Sequence, residues 1–269
     1  MQITAQQWIE HLALQARLEE CGHLDLLVDA TGLDCPVWAS RHDLERPPAQ
    51  CALLAGTPEH PLAEKGPILL RVDWADTAQC KWASHWLQAH HDKPRYLVIA
   101  SHWPVENLAM HLAYFTQGVW DQGRKSGICR FYDPLLFNTF IEQLHPEQRK
   151  LLNAAIVNWW WLDRDGAMRQ VPGDAQPLGR MAVPASPLTL DAYQMVALRA
   201  WSQAERWCRQ RWLNPGAYGI TRREALVYQV WMAHMAAHRQ KPEEPLGELF
   251  VEQWLARNSE YTQRTGRVY

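Results

Sequence analysis

No run of apolar residues approaches the roughly 20 needed to cross a bilayer. The longest, Ala154–Leu162, is interrupted by Asn158. No C-x-x-C pair occurs among the six cysteines (Cys21, Cys35, Cys51, Cys80, Cys129 and Cys208). That spacing argues against a zinc site and fits reduced thiols in a cytosol. There is no P-loop, no G-x-G-x-x-G and no G-x-S-x-G elbow, so the common phosphate, dinucleotide and hydrolase readings have no footing. Charge of one sign is missing too. A net charge of -2 over 269 residues supplies no global basic field for nucleic acid. No period of 20–50 residues recurs, which excludes a repeat array. Met1–Glu20 carries Glu10, Arg17, Glu19 and Glu20 within an amphipathic pattern, unlike a signal peptide. A soluble, cytoplasmic protein without a membrane partner is expected.

Phenylalanine is scarce, at 5, and tryptophan abundant, at 15. Indole joins a large apolar face to one N–H donor, which suits surfaces buried only in a complex. The alternative is a tryptophan-rich core, since most large aromatics are buried in their own fold. A chain this long buries roughly three quarters of its unfolded surface, so it needs no disulfide or metal staple.

Strand and helix signals alternate through the first two thirds. Thr4 and Gln7 form a capping box for a first helix, with Gly22 as its stop. Leu24–Ala30, Cys51–Ala55, Pro67–Val72, Arg95–Ala100 and Ala155–Leu162 read as short strands bounded by Gly or Pro. Asp76 or Thr77 caps a helix to about His90, and Pro104 opens another that Gly118 closes. This pattern predicts an α/β N-terminal lobe, a mixed sheet with flanking helices, over 1–168. Residues 169–188 hold four prolines and two glycines and read as a linker. Residues 189–269 read as an all-α C-terminal lobe. Leu190–Trp212 carries the stripe Tyr193, Ala197, Ala200, Ala204, Trp207 and Arg211; Thr221 with Glu224 begins a second helix, and Leu246–Arg257 follows helical spacing.

The chain is organised around Ser126–Leu144. Gly127–Tyr132 reads as a strand ending in aromatics, and Asp133-Pro134 switches it into a helix. A carboxylate at the N-cap accepts orphan N–H groups, and proline at N1 has no N–H to leave unpaired.

Candidate chemistry is thin. His234 and His238 have zinc-ligand spacing, but Met235 stands where a metalloprotease needs its glutamate, which favours two partly buried histidines. The pairs Asp25/Asp29, Asp73/Asp76 and Asp163/Asp165 read as solvated turns and caps. His90-His91-Asp92 reads as a helix end, and Ser101-His102 as a cap before Pro104. No catalytic residue, metal or cofactor is expected. Arg199–Arg223 holds six arginines, one glutamate (Glu205) and Trp201, Trp207 and Trp212. Such a stretch can bind single-stranded nucleic acid, form a protein hot spot, or be a solvated face whose arginine stems cover its own tryptophans.

Cys129-Arg130-Phe131-Tyr132-Asp133-Pro134, followed by Leu144-His145-Pro146-Glu147-Gln148, resembles the "RyyDP … l.peq" signature of the domain-of-unknown-function 4123 family, type VI secretion effector adaptors or chaperones. Leu26–Ala30, Leu53–Thr57 and Gly66–Leu70 agree in order, so the resemblance covers about residues 24–155. It implies a non-enzymatic adaptor in a Gram-negative bacterium, whose partners are a secreted effector as cargo and a VgrG-type spike protein. Under it, Arg130, Phe131, Tyr132 and Asp133 shape or border a partner surface, with Asp133 as readily a plain N-cap. The Trp/Arg face with Trp201, Trp207, Arg211 and Trp212 is the expected partner contact, and the C-terminal lobe helps to choose the cargo. Two other readings stand beside it: an α/β enzyme with an unrecognised site, and a single-strand nucleic-acid binder using Arg199–Arg223.

Overall fold

A computed structural model describes residues 2–33, 35–180, 186–211, 214–240 and 248–265. The chain divides into two units, Met1–Thr189 and Leu190–Tyr269.

The first unit runs α1 (Ala5–Leu18), β1 (His23–Asp29), α2 (Pro36–Ala39), β2 (Ala49–Ala52), β3 (Pro67–Asp73), α3 (Thr77–Ala89), β4 (Tyr96–Ala100), α4 (Val105–Tyr114), β5 (Gln117–Trp120), β6 (Lys125–Ile128), α5 (Pro134–Gln143), α6 (Pro146–Asn153), β7 (Asn158–Leu162), β8 (Met168–Pro172) and β9 (Leu188–Thr189). Six strands form one sheet in the order β2-β3-β1-β4-β7-β8, every neighbour antiparallel. A second sheet, β6-β5-β9, is mixed, because β9 joins β5 in parallel.

Alternation along the strands assigns the two faces of the large sheet. Leu24, Leu26 and Val28 of β1, Leu70 and Val72 of β3, and Trp160 of β7 face one core, which α1 supplies with Trp8 and Leu12 and α3 with Trp82 and Trp86. Intervening residues face the other way, where Phe137 of α5 packs on Trp159 and Trp161 at ring distances of 4.7 and 5.1 Å. Buried strands flanked by helices on both faces explain the near-continuous apolar runs read from the sequence. The tryptophans are mostly core: no described tryptophan is exposed.

Several details differ from expectation. Helix α1 keeps its capping box, but Glu20, not Gly22, takes the first left-handed position after it, at φ 54°. Leu53–Ala55 is a turn. Gly118 does not close α4; it lies inside β5, and Asp121, Gln122 and Gly123 turn the chain back into β6 with three consecutive positive φ values. The stretch 169–188 contains most of edge strand β8 and the start of β9. Gly173 has a steric reason to be glycine. A Cβ there would meet the carbonyl oxygen of Ile156 at 2.1 Å.

The second unit comprises α7 (Ala192–Arg211), α8 (Arg223–Gln240) and α9 (Glu248–Thr265). Its core joins Ala197, Ala200, Ala204 and Trp207 of α7 to Val230 and Trp231 of α8 and Val251 and Leu255 of α9. The alanine stripe lets α8 approach, and Trp231 Nε1 donates to the carbonyl of Ala197 at 3.0 Å. Residues 242–246, read as a proline interruption and the start of the last helix, lie outside the described residues.

Candidate functional site

The turn Cys129–Asp133 is where distant segments meet. Strand β6 ends at Ile128, so the expected strand over Gly127–Tyr132 is corrected: its second half is a turn closed by Asp133 N–H on the carbonyl of Arg130 at 2.9 Å. A strand would send Phe131 and Tyr132 to opposite faces. The turn buries both in one aromatic cluster, with Phe131 6.2 Å from Phe115, 6.0 Å from Phe140 and 5.9 Å from Tyr132. These two are core residues and offer no free surface.

Asp133 is the N-cap of α5 and accepts from Leu135 N–H at 3.0 Å. Its neighbour Arg130 is exposed and reaches back to the end of β1, donating to Asp29 Oδ2 at 2.9 Å while lying 3.5 Å from Asp133 Oδ2. Burial raises the Asp133 carboxyl above its ordinary value, and Arg130 opposes that rise. Burial, reinforced by Asp29, pushes the Tyr132 phenol up to about 12, so it is neutral at physiological pH. Gln148 works in the same manner: its side-chain carbonyl accepts from His145 N–H at 2.9 Å, and its amide donates to the carbonyl of Thr189 at 2.8 Å. Arg130, Asp133 and Gln148 each tie one element to another.

Asp29 was missed as the partner of Arg130, and Asp25 was misread as solvated. Asp25 is fully buried and accepts from Arg71 Nε and Nη2 at 2.8 and 2.7 Å. Asp25 and Arg71 stand opposite each other in the β1–β3 register. Asp163 is also buried, accepting from Asp165 and Ala167 N–H and from Arg169 Nε. Asp76 is the N-cap of α3, as read.

On α7, Trp207 is 7% exposed and Arg211 lies 4.6 Å over its ring. Trp201 packs half-buried against the same core. This is an arginine stem covering its own tryptophan, and it corrects the expectation that Trp207 offers a free contact face. Trp212 lies outside the described residues.

His234 is buried, with Nε2 unpartnered among the described residues, and burial lowers it to about 4. No cluster of three or more His, Cys, Asp or Glu that could hold a metal occurs among the described residues. Ser101 donates to the carbonyl of Ala155 at 2.6 Å and accepts from Trp103 N–H at 3.1 Å. An open groove of about 610 Å³ lined by Ile9, Trp74, Cys80, Ser84 and His85 brings no carboxylate to that serine and histidine.

Residues 26–151 match the family model described as Domain of unknown function (DUF4123). The match supports the family assignment for this segment, which spans β1 to α6 and contains the Arg130–Asp133 turn. Neither the curated proteins nor the solved structures contain a match to the chain. Among the described residues no helix is long and apolar enough to cross a membrane.

Proposed function

We propose that this protein is a cytoplasmic, non-enzymatic adaptor that binds a type VI secretion effector and helps to load it onto a VgrG-type spike protein. The observation that carries this reading is the family match across residues 26–151, taken with the use made of its signature residues. Arg130 and Asp133 join the end of β1 to the start of α5, and Gln148 joins α6 to β9. A signature spent on scaffold marks a shared frame on which partner surfaces vary, which is what an adaptor family requires.

The test is delivery. The chain is co-expressed with a type VI effector and a VgrG-type spike protein of the same bacterium, and the complexes are resolved by size-exclusion chromatography. In parallel its gene is deleted, and secretion of that effector and of an unrelated one is followed. A stoichiometric complex, with selective loss of the one effector from the medium, is expected. Equal secretion of that effector with and without the chain would overturn the reading.

A further inference from the structure

Helix α7 has a second face besides the one that carries Trp207. Arg199, Arg206 and Arg209 are all exposed, and none makes a hydrogen bond or ion pair among the described residues. Their spacing of seven and three residues places them on one side of the helix, over about 15 Å of its length. The other exposed side chains between them, Ser202 and Gln203, are neutral. The sole carboxylate of α7, Glu205, is half-buried. Four arginines against one glutamate give α7 a charge of +3, so the other residues of the chain total -5.

We propose that this face docks an acidic segment of a partner protein, whose carboxylates pair with the three guanidinium groups. Solvated arginines in a row, with no partner among the described residues, can form the charge-assisted bidentate bonds that guanidinium makes with carboxylate. Single-stranded nucleic acid fits less well. It needs exposed aromatic rings for its bases to stack on, and Trp201 and Trp207 point into the helical core. A short acidic segment within a Debye length of about 10 Å feels the local field of α7.

The inference goes beyond the adaptor reading, and its test needs neither effector nor spike. The probe is a fluorescein-labelled peptide of about fifteen residues rich in Glu and Asp, long enough to follow the helix face. Its binding to the full chain is read by fluorescence anisotropy, in competition with an oligothymidylate of equal charge. The variant Arg199→Gln/Arg206→Gln/Arg209→Gln is compared with Arg17→Gln/Arg124→Gln/Arg180→Gln, which removes the same charge from exposed positions elsewhere. The α7 variant is expected to bind the peptide about tenfold more weakly, as three exposed ion pairs would give, while the control variant binds as the parent does. Arg206→Glu alone should weaken binding in the same direction, which guards against a folding defect in the triple variant. Equal loss in both triple variants, absence of peptide binding by the parent, or preference for the oligothymidylate would each overturn the proposal.

Discussion

Arg130 and Asp29 lie 101 positions apart in the chain and 2.9 Å apart in space. Through them the end of β1 holds the turn that caps α5. Arg130 also faces Asp133, so its loss leaves two carboxylates near each other with no cation between them. Arg130→Ala is expected to cost about 1 kcal/mol at neutral pH, the upper range for a half-exposed pair. Without the arginine the Asp133 carboxyl, which burial already raises and Arg130 opposes, rises further. A raised folded value contributes stability at low pH that is lost as pH increases. The deficit of the variant should therefore be smallest near pH 4 and grow toward pH 7. Urea unfolding at both pH values checks this; a deficit independent of pH would show that packing, not charge, is what Arg130 provides.

Asp133→Ala removes an N-cap and should cost about 0.5–2 kcal/mol, with most of it restored in Asp133→Ser. Chemical denaturation measures both. Partner binding tests the other role: a variant of full stability that no longer holds its effector or spike would make Asp133 a contact residue.

The buried pair on β1 and β3 behaves differently. Asp25 is inaccessible and Arg71 supplies both of its side-chain hydrogen bonds. Arg71→Met leaves a buried carboxylate without a cation and should cost about 3–5 kcal/mol. Replacing both, as Asp25→Leu/Arg71→Met, should be close to neutral, because two apolar side chains of similar volume need no desolvation. Denaturant midpoints of these two variants and of Asp25→Leu alone form the double-mutant cycle. A double variant as unstable as the single one would mean that the pair itself, rather than its compensation, supports the sheet.

Local signals carried most of the elements. The capping box at Thr4–Gln7, the cap at Asp76 and the Asp133-Pro134 switch were legible because each needs only neighbours in sequence. The strands of the large sheet were legible as apolar runs. Strand β5 was not, and β6 only in its last two residues, Gly127 and Ile128, since Gln117–Trp120 and Lys125–Ile128 are short and half-polar. The site divided along the same line. Asp133 as a cap could be read directly; Asp29 as the partner of Arg130 could not, because strand order and register decide that contact. The same holds for Asp25, whose position opposite Arg71 appears only once β1 and β3 are paired. Trp207 had the spacing of an amphipathic helix, but periodicity alone cannot say whether a stripe faces its own core or a partner.

Gly173 follows β8 and donates its N–H to the carbonyl of Val157 at 2.9 Å. A methyl group there would overlap the backbone of Ile156, which cannot move without disturbing the strand beside it. Gly173→Ala is expected to destabilise the first unit by about 1–3 kcal/mol, the usual range for overpacking. Thermal unfolding checks this, and an unchanged midpoint would mean that the segment relaxes freely.

Trp207→Ala should damage the helical unit itself, at about 3–5 kcal/mol for a buried indole. The contact over that ring that Arg211→Ala removes accounts for about 0.5–1 kcal/mol. Far-ultraviolet circular dichroism during denaturation separates the two. If Trp207→Ala unfolded no more readily than Arg211→Ala, the tryptophan would have to be reassigned from core to surface.

His234 gives the helical unit a pH dependence of defined sign. Its imidazole is buried, with Nε2 unpartnered among the described residues, and burial lowers it from an ordinary 6.5 to about 4. Between those values the unfolded chain binds a proton that the folded chain does not. Stability must therefore fall as pH is lowered from about 6.5 toward 4 and is unaffected by this group above that range. Burial also lowers His11, His23 and His111 in the first unit, and each of these imidazoles acts on stability in the same direction. The contribution of His234 is isolated by His234→Leu, which fills the site with a group that does not titrate. Between pH 7 and pH 4.5 the denaturation midpoint of the parent should fall relative to that of this variant, because only the parent carries the extra protonation step. Parallel curves would show that His234 is solvated in the folded state, and that its unpaired nitrogen finds a partner in solution.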